Sequence, residues 1–127
     1  MKTFNRLLFV FACLMGAVSV LLAAYTAHQA GLDESARRSL GSAIQLMQFH
    51  ALALLVIAWI AKDKSLHLSL LLSAGLFVAG ILMFSLNMAL RHLAGIGGLS
   101  FLLPYGGMAF VLGWLALGLV AKRSDLF

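Results

Sequence analysis

The sequence predicts an all-α integral membrane four-helix bundle, running up-down-up-down with both termini in the cytoplasm. Three observations predict it. Of the 127 residues, 63% are apolar before the 12 glycines are counted, and only 10% are charged. A soluble domain has roughly 45–50% apolar residues with glycine included and roughly 25% charged ones. Too little polar surface is left to cover a globule in water, and the chain is far too hydrophobic for disorder. Second, the acidic and basic residues divide the chain into four long stretches that contain neither. A bilayer core of about 30 Å takes about 20 helical residues at about 1.5 Å each, so each stretch suffices for one crossing and not for two. Third, the apolar runs are continuous and lack the short alternating segments of a transmembrane barrel.

The first helix is expected at about residues 7–28. Lys2 and Arg6 ahead of it resemble a signal-peptide flank. The apolar run Leu7 to Ala27 is longer than the roughly 7–15 residues of a signal core, and the small-residue pattern near Ala24 is a poor cleavage site, so this span is expected to be retained. The second helix is expected at about 34–61. Asp33 and Glu34 lead into Ser35-Ala36-Arg37-Arg38, and acids suit the positive end of a helix dipole. This helix is expected to project above the membrane, with Arg37 and Arg38 at headgroup level. The third is expected at about 65–91, joined to the second by a short link around Lys62 to Ser65, which makes the two antiparallel neighbours. The fourth is expected at about 103–121. Gly95, Gly97 and Gly98 read as the loop before it, and Pro104 either starts this helix or kinks it. Residues 1–127 thus form a single domain with short connections and no room for a soluble one.

Four crossings put both termini and the link between the second and third helices on one side. That side holds Lys2, Arg6, Lys62, Lys64, Lys122 and Arg123, against Arg37, Arg38 and Arg91 on the other. Basic residues concentrate on the cytoplasmic side, so a multi-pass membrane protein with both termini in the cytoplasm is expected. The net charge of +5 is accordingly a topology signal. Nucleic-acid binding would need a concentrated basic patch, which is absent. A basic rim does suit anionic headgroups, and membrane lipids are expected partners. The single cysteine, Cys13, excludes an internal disulfide and sits within the first helix as a small apolar residue. No zinc spacing or phosphate-binding glycine loop occurs, and neither a metal nor another cofactor is expected.

Lipid is as apolar as leucine, so helices in a bilayer associate through close packing at small residues and shared hydrogen bonds. Gly16 in the first helix, Gly80 in the third, and Gly106, Gly107 and Gly113 in the fourth are the expected packing positions. The polar residues within the spans fall unevenly. His28, Gln45, Gln48, His50, Ser85, Asn87, His92 and Tyr105 are all expected toward the outer leaflet. Three readings apply to this candidate cluster. It can be structural glue, the commonest use of buried polar side chains in bundles. It can be a small polar cavity for a ligand, ion or lipid headgroup. The least favoured is a haem or metal site on His28, His50 and His92, because His50 lies about 10 Å deeper than the others. No Asp or Glu lies within any span, which argues against a carboxylate-driven ion cycle. His50 is the most notable residue, expected as a neutral imidazole bonded to a backbone carbonyl, to Asn87 or to Tyr105, or else as a pH-responsive group.

The same blocks carry a resemblance. They are Ala-Tyr-Thr-Ala-His ending at His28, Gln-Phe-His-Ala-Leu-Ala-Leu-Leu from Gln48, Gly-Ile-Leu-Met-Phe-Ser from Gly80 to Ser85, and Leu-Pro-Tyr-Gly-Gly-Met-Ala-Phe-Val-Leu-Gly-Trp ending at Trp114. In order and along nearly the whole chain, this resembles the YgdD-like family of small inner-membrane proteins of unknown function. The chain departs from that pattern at Tyr25, Thr26, Leu86 and Asn87, and Leu103 replaces a threonine before Pro104. The resemblance implies four inner-membrane spans and brings no established activity.

Without a catalytic constellation, the leading expectation is a non-enzymatic accessory or assembly component of a larger membrane complex, or a homo-oligomer. The alternative is a small transporter or a ligand- or lipid-binding protein that uses the outer polar cluster. An enzyme or redox protein comes third.

Overall fold

A computed structural model describes residues 2–62 and 67–122. Four helices in it are long and apolar enough to cross a membrane: α1 (Lys2–His28), α2 (Glu34–Ile60), α3 (Leu68–Leu93) and α4 (Ser100–Lys122). No strand occurs among the described residues. The first helix begins earlier than expected, because nothing in Lys2 to Arg6 breaks a helix and the polar residues simply prolong it. The start of the third span expected at 65 falls partly outside the described residues.

Local chemistry fixes the ends. Asp33 caps α2, its carboxylate accepting from the Ala36 N–H at 2.7 Å, which satisfies one of the free donors of the first turn. One turn later Arg37 reaches back. Its guanidinium donates to the carbonyls of Thr26 and, at 2.7 Å, Gln29. A cation on the last carbonyls of α1 complements their negative dipole end, so Arg37 holds the α1–α2 hairpin closed instead of merely resting at the headgroups. Gly95, at φ +70°, turns the chain after α3 so that the Ile96 N–H returns to the Leu90 carbonyl at 3.1 Å. Pro104 lies in the first turn of the α-helical part of α4, Leu103–Gly118, where its missing N–H costs nothing. It starts the helix and does not kink it.

The centre of α3 departs from regular geometry. Ile81–Leu86 is π-helical between α-helical Leu68–Gly80 and Asn87–Leu93. A wider turn takes in an extra residue and rotates the rest of the helix by about 100°. Beyond it, Asn87 and Ala89 are buried, and Ala89 packs with Leu40 and Ile44 of α2.

Two helix pairs build the bundle, α1 with α2 and α3 with α4, with α2 also packed along α3. The α3–α4 seam is an exchange of glycine and phenylalanine. Phe110 of α4 lies over Gly80, Phe77 of α3 lies over Gly113, and Gly106 meets the backbone of Met83 and Phe84. A Cβ at any of the three would come within 2.4–2.7 Å of its neighbour. Gly16 and Gly107, by contrast, have nothing within 4 Å of where a Cβ would stand. They are not close-packing positions, because Gly16 faces an open groove and Gly107 points away from the seam. The main core gathers Leu8, Met47, Leu54, Leu70, Phe77, Ile81 and Phe110 among others. Large apolar side chains such as Leu21, Trp59 and Leu115 are exposed, as a surface solvated by lipid allows.

Candidate functional site

His50 lies near mid-length of α2 and is 2% exposed. Its Nδ1 is 2.7 Å from the Leu46 carbonyl, and its Nε2 is 3.0 Å from Nε1 of Trp114. An indole nitrogen only donates, so Nε2 must accept. Nδ1 then carries the proton and donates to Leu46. This pairing assigns a neutral imidazole in one tautomer, with both nitrogens used. Aromatic rings close the rest. Phe110 stacks on the imidazole with centroids 3.8 Å apart, Phe77 stands at 5.0 Å and Phe49 meets its edge at 5.6 Å. The glycines explain why these rings can assemble. Gly80 and Gly113 admit Phe110 and Phe77 into the seam, and those rings form the floor and one wall around His50. The chemistry of this centre is that of a hydrogen-bonded, ring-packed joint between α2 and α4, and no ring nitrogen is left to meet a ligand.

Asn87 serves a different end. Its Nδ2 donates to the Met83 carbonyl at 3.1 Å and to the Leu99 carbonyl at 2.6 Å. The first bond uses an acceptor in the π-helical stretch, and the second ties the α3–α4 loop to α3. The Asn87 Oδ1, and the hydroxyls of Ser73 and Ser85, are buried without a partner among the described residues.

The eight polar residues expected to share one outer cluster do not form one site. His28 and Tyr105 are exposed and His92 is partly so. His50 lies near the middle of α2 and bonds neither Asn87 nor Tyr105. The three histidines of the haem or metal reading therefore stand apart, and no group of three metal-ligating side chains occurs among the described residues. Gln45 and Gln48 share another face of α2. Gln48 lies two positions before His50, or about 200° around the helix. Gln45 is exposed and Gln48 partly so, and neither side chain has a hydrogen-bond partner among the described residues. They line shallow grooves along the α1–α2 seam, where Gln48 faces Cys13, Gly16 and Val20. Trp114, the partner of His50, escaped the sequence reading because it looks like an ordinary interface tryptophan. A tryptophan placed 64 residues away gives no local signal of a bond to a histidine.

Residues 22–107 match the family model described as "Protein of unknown function (DUF423)". The chain belongs to this family. A curated relative, the UPF0382 membrane protein YwdK of Bacillus subtilis (strain 168), is 30% identical over 117 residues, covering 87% of this chain and 94% of YwdK. No solved structure matches. This DUF423 member is thus a multi-pass membrane protein of a family without an assigned activity. The matched region contains His50, Asn87 and Gly106 and ends before Phe110 and Trp114.

Proposed function

We propose that the chain is a small non-enzymatic component of the cell inner membrane, with both termini cytoplasmic, that works by associating with a second copy of itself along the α1–α2 face. Its resemblance to the YgdD-like proteins of the inner membrane accords with that location. One observation carries the reading: Gln48 stands near the middle of α2 beside an open groove of small residues, with no hydrogen bond to the described protein. A carboxamide offers two N–H donors and a carbonyl acceptor. In hydrocarbon those groups lack water, and an interhelical partner is worth about 0.6 kcal/mol on average and up to about 1.7 kcal/mol. A two-fold axis along the groove would set one Gln48 amide against the other, each donating to and accepting from its mate. Open space at Gly16 would let the second copy's helix approach. The alternative, a ligand or transport site in the outer leaflet, draws no support from a histidine whose two nitrogens are occupied and whose neighbours are rings.

Cys13 is exposed in that groove and is the only cysteine, so it reports on the contact directly. In native membranes a membrane-permeant oxidant should convert the chain to a species of twice 13.6 kDa, and Gln48→Leu should lower the yield. A variant carrying Cys13→Ala and Val111→Cys, with its thiol on the exposed face of α4, should crosslink poorly. Efficient crosslinking only from position 111, or a yield indifferent to Gln48→Leu, would contradict the proposal.

A further inference from the structure

The opposite end of the α1–α2 seam carries a second feature. Between the start of α1 and the end of α2 lies a cleft of about 470 Å³. Its rim holds three cations, Lys2, Arg6 and Lys62, and its floor is Phe9, Val10 and Trp59. Lys2 and Arg6 are one helical turn apart on the same face, an arrangement that is unfavourable for like charges by a few tenths of a kcal/mol when nothing lies between them. Lys62 stands over the Trp59 ring, 5.2 Å from its centroid. The Asn5 Nδ2 donates to the Ala61 carbonyl at 2.7 Å, which fastens the start of α1 to the end of α2 and holds the two walls of the cleft at fixed spacing.

The arrangement has an order in depth. Phe9 and Val10 follow Lys2 by seven and eight residues, or about 10–12 Å along the helix axis. Cations therefore lie at the headgroup level, and the apolar floor lies below them, at the level of acyl chains. Trp59, 66% exposed, has the amphipathic ring that favours this boundary. The geometry points to a binding site for one anionic phospholipid, its phosphate held by Arg6 and Lys2 and one acyl chain lying along Phe9, Val10 and Trp59. A guanidinium matches phosphate oxygens in pairs. A free phosphate ion would use the rim and leave the floor empty, so the floor selects a lipid. The site is complete in a single copy and does not rest on self-association.

The test uses the purified full chain in neutral detergent, with native mass spectrometry after addition of phosphatidylglycerol or phosphatidylcholine of identical acyl chains. One phosphatidylglycerol should be retained several-fold over phosphatidylcholine. Arg6→Gln should lower that preference about fivefold, which corresponds to about 1 kcal/mol per basic residue, and Lys2→Gln should act in the same direction. Arg38→Gln, at the far end of the hairpin, should leave it unchanged. Val10→Trp fills the floor without altering charge and should lower retention of both lipids. An unchanged elution profile and helix content show that each variant folds. Equal retention of the two lipids, an equal effect of Arg38→Gln, or displacement of the lipid by millimolar inorganic phosphate would overturn the assignment.

Discussion

Gly106 and Gly107 are adjacent in one helix, and the structure assigns them opposite sensitivities to a single methyl group. A Cβ on Gly106 would lie 2.7 Å from the Phe84 nitrogen and 2.9 Å from the Met83 carbonyl carbon, whereas ordinary contact begins at 3.4 Å. The obstacle is backbone, so no side chain can swing aside, and α4 must retreat by about 0.7 Å (3.4 − 2.7). A gap of that size forfeits a quarter to a half of the dispersion well along the opened seam, which includes Phe110 over Gly80 and Phe77 over Gly113. Overpacking of this kind costs about 1–3 kcal/mol. At Gly107 nothing lies within 4 Å, and only the helix preference of alanine over glycine acts, about 0.5–1 kcal/mol in favour of folding. Since that preference is common to both positions, the difference between Gly106→Ala and Gly107→Ala isolates the clash. Equilibrium unfolding of both variants by sodium dodecyl sulfate titration in mixed micelles, followed by circular dichroism, should separate them by about 1–3 kcal/mol. If both unfold at the same detergent fraction, the α3 and α4 backbones are not in contact at Gly106 and the glycine–phenylalanine seam is wrong.

Two further perturbations concern the hydrogen bonds. Trp114→Phe removes the donor to His50 and His50→Leu removes the acceptor, so a double-mutant cycle in the same unfolding assay should give a coupling of about 0.6–1.7 kcal/mol; additive single effects would show that the pair is not bonded. Asn87→Leu removes the tie to the Leu99 carbonyl at a cost of about 1 kcal/mol, and amide hydrogen exchange should quicken in the loop after Leu93 while the start of α1 stays unchanged. Exchange that quickens equally throughout the chain would mean that Asn87 does not act on the loop.

Much of the fold was legible because the bilayer imposes it. Span number follows from apolar run length, and the short links leave antiparallel neighbours as the economical path. The start of α2 was equally plain, since Asp33 and Glu34 act within one turn. Where reading failed, the missing information was rotational. Gly16 and Gly107 are as small as Gly80 and Gly106, but close packing requires that the bare face meet another backbone, and one-dimensional spacing does not fix which face does. The π-helical stretch compounds this, because it turns the second half of α3 by an amount no hydropathy pattern records. For the same reason the polar residues looked like one group. Azimuth around each helix was not readable from spacing alone, and so His50 found Trp114 instead of Asn87 while Gln48 faced away from both.

The central claim is that His50 forms a dry, hydrogen-bonded joint between α2 and α4, and its ring nitrogens test it most directly. In ¹⁵N-histidine-labelled protein in bilayers, nuclear magnetic resonance should show Nδ1 protonated and Nε2 as a lone-pair nitrogen receiving the Trp114 indole proton, with both protons slow to exchange into D₂O. An Nε2–H tautomer, or ring signals averaged by rapid exchange with water, would contradict it.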